Sequence, residues 1–327
     1  MRNRLLLPGV FALLFAVAAC LGGSDRRSVV LDRAPPQAGT LPEFWYGGVD
    51  CDGEPPIQVH AYNEDLYILR QSKCAHFESP FIYLIFGQEK ALLLDTGAPG
   101  DPPLAATVDE LMQRRRAAGG PELELVVAHS HAHFDHVFND GQFVGRPNTT
   151  IVGRTVDEVS AFYGIERWPE DIVTYDLGGR VLDVIPTPGH ESSHVALYDR
   201  RTQILLTGDT LYPGFLFVFD PSVWTDFRKS TRRMVDFVAD HPVTWILGCH
   251  VEMKRTPGEF YMYGTKVHPE ERRLELEVHH LLELDEALEA MGDDAEYEKH
   301  DDFVVYPFWR ANRARSERDD EQDVENG

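Results

Sequence analysis

"VVAHSHAHFDHVF", residues 126–138, carries four histidines and one aspartate within the eight positions from His129 to His136. Such a density of imidazole and carboxylate side chains points to metal binding, because these are the donors that zinc and similar divalent ions take at about 2.0–2.2 Å. The stretch admits two registers. Either His129, His131 and His133 form an alternating row, or His131, His133, Asp135 and His136 act together and His129 stands apart. On an extended segment alternate residues share a face, so His131 and His133 can address one ion. A turn into helix at "FDH" would carry Asp135 and His136 to a neighbouring position. Two adjacent donor pairs make a binuclear site natural, with ions about 3.5–4 Å apart.

Three distant segments favour the second register. "TPGH" ends in His190, "LLTGD" ends in Asp209 and "WILGCH" ends in His250, each where an apolar strand stops. The apolar run "LELVVAH" delivers the histidine cluster in the same way. Further strand-like runs are "IQVHAY", "LYILR", "FIYLIFG", "ALLLD", "TTIVG", "RVLDVIPT" and "HVALYD". Helical spacing marks "PPLAATVDELMQRRRAAGG", residues from about 222 to 240, and "HHLLELDEALEAM", and "FVVYPF" reads as a closing strand. Strands interspersed with helices predict a mixed α/β architecture. The aromatic loop "LYPGFLFVFDPSVW" either walls a pocket for an apolar part of a substrate, with "FYMYG" closing it from the other side, or packs beneath a helix.

These residues resemble the metallo-β-lactamase superfamily of metallohydrolases. Its H-x-H-x-D-H motif stands here as His131, His133, Asp135 and His136, followed by counterparts of its later ligands at His190, Asp209 and His250. "LLLDTG", with Asp95, resembles the strand and turn that precede the motif in that family. The resemblance implies an α/β fold, an αββα sandwich of two mixed β-sheets flanked by helices. It implies that His131, His133 and His190 hold one ion, that Asp135, His136 and His250 hold the second, and that Asp209 bridges them. The cofactor expected is two divalent metal ions, Zn2+ first, with Fe or Mn suited to the same donors. His129 and His194 fall outside this set and are expected at strand ends or behind the ligands; His76, Glu78 and His268 are weaker candidates for the site.

The implied reaction is hydrolysis by a hydroxide shared between the ions, with Asp135 and Asp209 as the catalytic carboxylates. An aspartate at position 209 is typical of the family's thioester hydrolases, lactonases and phosphodiesterases, while its true β-lactamases generally carry another residue there. An ester, lactone or thioester is therefore the expected small-molecule substrate. An iron-dependent sulfur or oxygen oxidoreductase of the same fold is the alternative.

Charge narrows the partners. The chain of 327 residues has 31 basic against 54 acidic side chains, a formal net charge of −23, which disfavours nucleic acid. Arg114–Arg116 and Arg228–Arg233 are the local basic clusters, and both read as solvated helix faces. "MRNRLLLPGVFALLFAVAAC" has the basic start and short apolar run of a secretory signal. Its "VAAC" resembles a bacterial lipobox, so Cys20 is expected to carry a lipid anchor that holds the exported protein at a membrane of the cell envelope. The expected organisation is a signal peptide over 1–19, a lipidated N-terminus and tether over 20–40, the metallo-β-lactamase-fold domain over 41–313 and a disordered acidic tail over 314–327. Of the remaining cysteines, Cys51 and Cys74 are either a disulfide or two free thiols, and Cys249 reads as core.

Overall fold

The computed structural model describes residues 37–310. The expected signal peptide, Cys20 and the expected acidic tail lie outside the described residues. No helix among the described residues is long and apolar enough to cross a membrane. Gln37 and Thr40, read from composition as the end of the tether, hydrogen-bond to Arg201 and Tyr62 of the folded body.

Two sheets form the centre. The first contains, in spatial order, β1 (Ile57–Asn63), β2 (Leu66–Gln71), β3 (Phe81–Phe86), β4 (Lys90–Leu94), β5 (Glu124–Ala128) and β6 (Thr149–Ile151). Strands β1 to β4 form an antiparallel meander, and β4, β5 and β6 run parallel. The second sheet is built from β7 (Val173–Asp176), β8 (Val181–Pro186), β9 (Val195–Asp199), β10 (Ile204–Gly208) and β12 (Trp245–Gly248), in the order β12-β10-β9-β8-β7.

The apolar runs of the sequence are continuous because both faces of each sheet are covered. Successive side chains of a strand point to opposite faces. Phe81, Tyr83 and Ile85 thus meet Leu182, Val184, Leu197, Leu206 and Leu247 between the sheets. Their neighbours Ile82, Leu84 and Phe86 turn the other way, onto Leu104, Val108 and Leu111 of α1 (Leu104–Ala117). On the far side, Ile185, Ala196, Leu205 and Ile246 are covered by α4 (Trp224–Asp240) and α5 (Val278–Met291), through residues such as Phe227, Met234, Leu281 and Leu288. The layers are helix, sheet, sheet, helix, the αββα sandwich that the motif implied.

Several elements differ from the sequence expectation, β7 among them, since no strand-like run was read there. The aromatic segment after Asp209 is not wholly loop: Phe215–Val218 forms β11, which pairs in parallel with β14 (Val304–Pro307). With β13 (Glu298–Lys299) they make a third, small sheet. The helix α3 (Val156–Tyr163) was missed, although Thr155 and Glu158 form a capping box and Gly164 closes it at φ 75°.

Cys51 and Cys74 are joined by a disulfide that closes a sequence separation of 23, with Cα atoms 5.5 Å apart. It ties the lead-in to β1 to the Ser72–Ser79 loop, which ends beside the site described below. By the loop-closure argument, replacing both cysteines with serine is expected to cost about 3 kcal/mol of folding free energy. Thermal melts with and without reductant would read this, and an unchanged Tm would assign the loop's order to the Glu54 hydrogen bonds instead.

Candidate metal centre

The ends of β5, β8, β10 and β12 meet at one edge of the sandwich. After β5 the chain is extended through His133 (ψ 151°) and then enters the one-turn α2 (Phe134–Val137), so His131 and His133 precede the turn and Asp135 and His136 lie within it. His190 follows β8, Asp209 follows β10 and His250 follows β12. All seven side chains converge.

They form two groups around one carboxylate. The His133 Nδ1 atom lies 3.0 Å from His131 Nε2 and 2.9 Å from His190 Nε2. Asp135 Oδ2 lies 3.4 Å from His136 Nε2 and 3.3 Å from His250 Nε2, and those two nitrogens are 3.3 Å apart. Asp209 Oδ2 sits between the groups, 3.9 Å from His131, and 3.5 Å from each of His190, His136 and His250.

The surrounding acceptors orient the imidazoles. Nδ1 of His190 donates to the Phe217 carbonyl at 2.8 Å, and Nδ1 of His250 donates to the Glu78 carbonyl at 3.1 Å. His136 Nδ1 donates to Asp95 Oδ2 at 3.0 Å. His131 Nδ1 donates to Ser130 Oγ at 3.0 Å, and that hydroxyl passes its own proton to Asp95 at 2.8 Å. In each ring the acceptor holds a proton on Nδ1 and Nε2 faces the centre, which is how ligand imidazoles are presented.

Electrostatics divide the two groups. Burial pushes the imidazoles of His131 and His133 below their ordinary pKa and that of His190 down to about 4, so they are neutral donors. Burial would do the same to His136 and His250, but Asp135 and Asp209 outweigh it and hold both well above the ordinary value. Burial would raise Asp209, but His250 and His136 outweigh that and hold it far below the usual carboxylate range. Asp209 Oδ1 is buried and has no hydrogen-bond partner among the described residues. An orphaned carboxylate oxygen beside five converging imidazole nitrogens fits divalent cations at this centre.

The remaining histidines have other tasks. His129 bonds Asp140 Oδ1 at 2.9 Å, and Asp140 in turn holds Arg154 at 2.6 Å, so His129 fastens the turn after the motif and stays out of the centre. His194 accepts from the Asp209 backbone N–H at 3.1 Å and bonds Thr187 Oγ1 at 2.7 Å, which fixes the loop that carries the central aspartate. Gly208, at φ 52°, makes this approach feasible: a Cβ there would lie 2.6 Å from His194 Nε2. His268 pairs with Glu271 at 3.0 Å and stacks on Tyr261, away from the centre. His76 stacks on Phe77. Cys249 reaches Asp95 at 3.4 Å, and burial pushes its thiol up to about 12, which leaves it protonated.

A cavity of about 380 Å³ opens onto His133, Asp135, His190, Asp209 and His250. Its opposite wall is aromatic, built from Tyr212, Phe215, Phe217 and Phe219 on and beside β11, Tyr306 and Phe308 at β14, and Met262 and Tyr263. Glu78, Glu252 and Phe134 complete the lining. Glu78 was a weak sequence candidate. Glu252, two residues past His250, carried no sequence signal, and burial pushes its carboxyl up to about 7.

The sequence profile of the Metallo-beta-lactamase superfamily matches residues 77–240. Relatives include the hydroxyacylglutathione hydrolases of Rhizobium meliloti (strain 1021), 32% identical over 135 residues, and of Synechococcus sp. (strain JA-3-3Ab), 33% identical over 141 residues. Each alignment covers 41% of this chain and 50% of the relative. The acyl-coenzyme A thioesterase MBLAC2 of Gallus gallus is 33% identical over 91 residues, covering 28% of this chain and 30% of that protein. The chain thus spans about half the length of the curated hydrolases it matches. The profile covers half of the sequence and carries His131, His133, Asp135, His136, His190 and Asp209, and the chain belongs to the metallo-beta-lactamase superfamily.

Proposed function

We propose that this chain is a metal-dependent hydrolase that cleaves an ester, lactone or thioester, with zinc as the metal. The single observation that carries the reading is the position of Asp209 Oδ2, about equally far from both imidazole groups, with its partner oxygen orphaned. His131, His133 and His190 would hold one ion, Asp135, His136 and His250 a second, and Asp209 would serve both. Ions held there lower the pKa of water towards neutrality and offset charge that develops on a carbonyl oxygen. The protein's own contribution is to fix the ligand tautomers through Asp95, Ser130 and two backbone carbonyls, to present Asp135 and Asp209 as carboxylates, and to line the approach with apolar rings. That lining accommodates the apolar part of a substrate. Two relatives named for thioester cleavage favour the thioester member of the three classes.

The same reading includes export and a lipid anchor on Cys20. The Cys51–Cys74 bond supports it, since such bonds persist in oxidising compartments.

Metal analysis of the purified protein is expected to give about two ions per chain, mostly zinc. Chelation is expected to abolish turnover across a panel of esters, lactones and thioesters, and added zinc to restore it. Turnover by metal-free protein would overturn the hydrolase reading. Iron with oxygen-dependent turnover would replace it with an oxidoreductase.

A further inference from the structure

The cavity wall facing the metal centre has an unusual composition for a site that handles acyl groups. Among its lining residues there is no lysine or arginine, whereas two carboxylates that do not belong to the ligand set, Glu78 and Glu252, open into it. Around them stand Tyr212, Phe215, Phe217, Tyr263 and Tyr306. Phe217 lies at the middle of this group, with ring centroids 5.7 Å from Phe215, 5.6 Å from Tyr263 and 5.0 Å from Tyr306.

Glu252 is 7% exposed, yet it has little to hold it. The Phe215 N–H donates to its Oε2 at 3.4 Å, and neither Glu252 nor Glu78 forms an ion pair among the described residues. Lys73, a buried cation, donates to the Phe77 carbonyl at 2.9 Å and is not part of the cavity lining. The backbone is shaped to admit this carboxylate: a Cβ at Gly214 would lie 1.9 Å from Glu252 Oε2. Glu78 receives only the Tyr263 hydroxyl, at 2.6 Å on Oε1.

A carboxylate removed from water is costly unless it is paired. Aromatic faces attract cations, and such faces joined to acidic groups are the usual seat of ammonium ligands. Asp135 and Asp209 carry the same sign of charge as Glu252 and Glu78, and His250 turns Nε2 to Asp135 and Asp209 and Nδ1 to the Glu78 carbonyl, so neither glutamate side chain has an ion-pair partner at the cavity wall among the described residues. We propose that the aromatic wall with Glu252 and Glu78 is a subsite for a cationic nitrogen, a quaternary or protonated ammonium carried by the substrate's non-reacting part. This rests on the hydrolase reading for its substrate and on the geometry alone for its binding site. It also separates this cavity from anionic thioesters, whose carboxylates or phosphates would meet two acidic groups and no basic one.

Three thioesters that release a thiol read by one chromogenic reagent test the charge preference: butyrylthiocholine, its neutral isostere S-(3,3-dimethylbutyl) thiobutyrate, and the anionic S-butyryl-3-mercaptopropionate. With zinc-loaded protein, kcat/KM for the cationic substrate is expected to exceed that of the isostere by about tenfold, with the anion lowest. Glu252→Gln is expected to erase the preference. Glu78→Gln and Phe217→Leu serve as further variants should Glu252→Gln fail to fold, and each is expected to reduce it.

Calorimetric binding of choline against 3,3-dimethylbutan-1-ol reads the subsite without turnover. Choline binding in preference to the alcohol, with none of the thioesters hydrolysed, would uphold the subsite and remove the thioester member of the hydrolase reading. Turnover of the neutral substrate equal to or better than that of the cationic one would overturn the subsite and leave the hydrolase intact.

Discussion

Asp209→Ala is expected to lower kcat/KM by about a thousandfold and to reduce bound metal from about two ions per chain to one or fewer. The reason is position. Asp209 Oδ2 lies within 3.9 Å of His131, His190, His136 and His250 together, so its removal weakens both groups at once. His131→Ala provides the contrast, since it deletes a donor from one group and leaves Asp135, His136 and His250 in place. Metal content of the two variants should therefore differ, with His131→Ala retaining close to one ion. The fold is expected to persist in both, because the αββα layers are secured by cores that do not include either residue, and circular dichroism would check this. A fully active Asp209→Ala protein would remove the central carboxylate from the mechanism altogether.

The convergence of the candidate ligands was legible in the sequence because they stand at strand ends. Period-two alternation, then a sharp turn, fixes where His131, His133, Asp135 and His136 point, and an apolar strand that stops at a lone His or Asp announces the rest. His129 was set apart by the resemblance, and its bond to Asp140, which Arg154 holds in turn, gives the physical reason.

The cavity was far less legible. Its wall depends on β11 pairing with β14, strands separated by nearly the whole C-terminal third of the chain, and no local pattern reports such a pairing. "FLFV" has no alternation, so a short buried strand and an aromatic loop look alike. Glu252 was invisible for a related reason. A single acidic residue after a ligand has no signature until Gly214, Phe215 and Tyr212 are brought around it. The helix α3 is a different case, since Thr155, Glu158 and Gly164 signal both its ends in the sequence.

Asp95→Ala is expected to destabilise the protein by about 3–5 kcal/mol and to weaken metal binding by about 10–100-fold, although Asp95 faces no substrate. Its carboxylate is fully buried and accepts from the Ser130 N–H at 2.6 Å, the Ser130 hydroxyl at 2.8 Å and His136 Nδ1 at 3.0 Å. Alanine leaves these donors orphaned in a site that water does not reach, and each costs about 1–3 kcal/mol. It also releases His136 and, through Ser130, His131 to adopt the other tautomer, which would turn a proton instead of a lone pair towards the ions. A backbone penalty adds to this, for Asp95 lies at φ 72°, where alanine is disfavoured by about 1–2 kcal/mol while aspartate and asparagine are tolerated. Asp95→Asn separates the two effects. The amide keeps the left-handed turn and one acceptor, so denaturant unfolding should show a smaller loss than for alanine. Its NH2 group would face His136 Nδ1 or Ser130, so the metal affinity should fall almost as far as in Asp95→Ala. Equal metal affinity in Asp95→Asn and the parent would mean that tautomer control lies elsewhere and that the role of "LLLDTG" is confined to the fold.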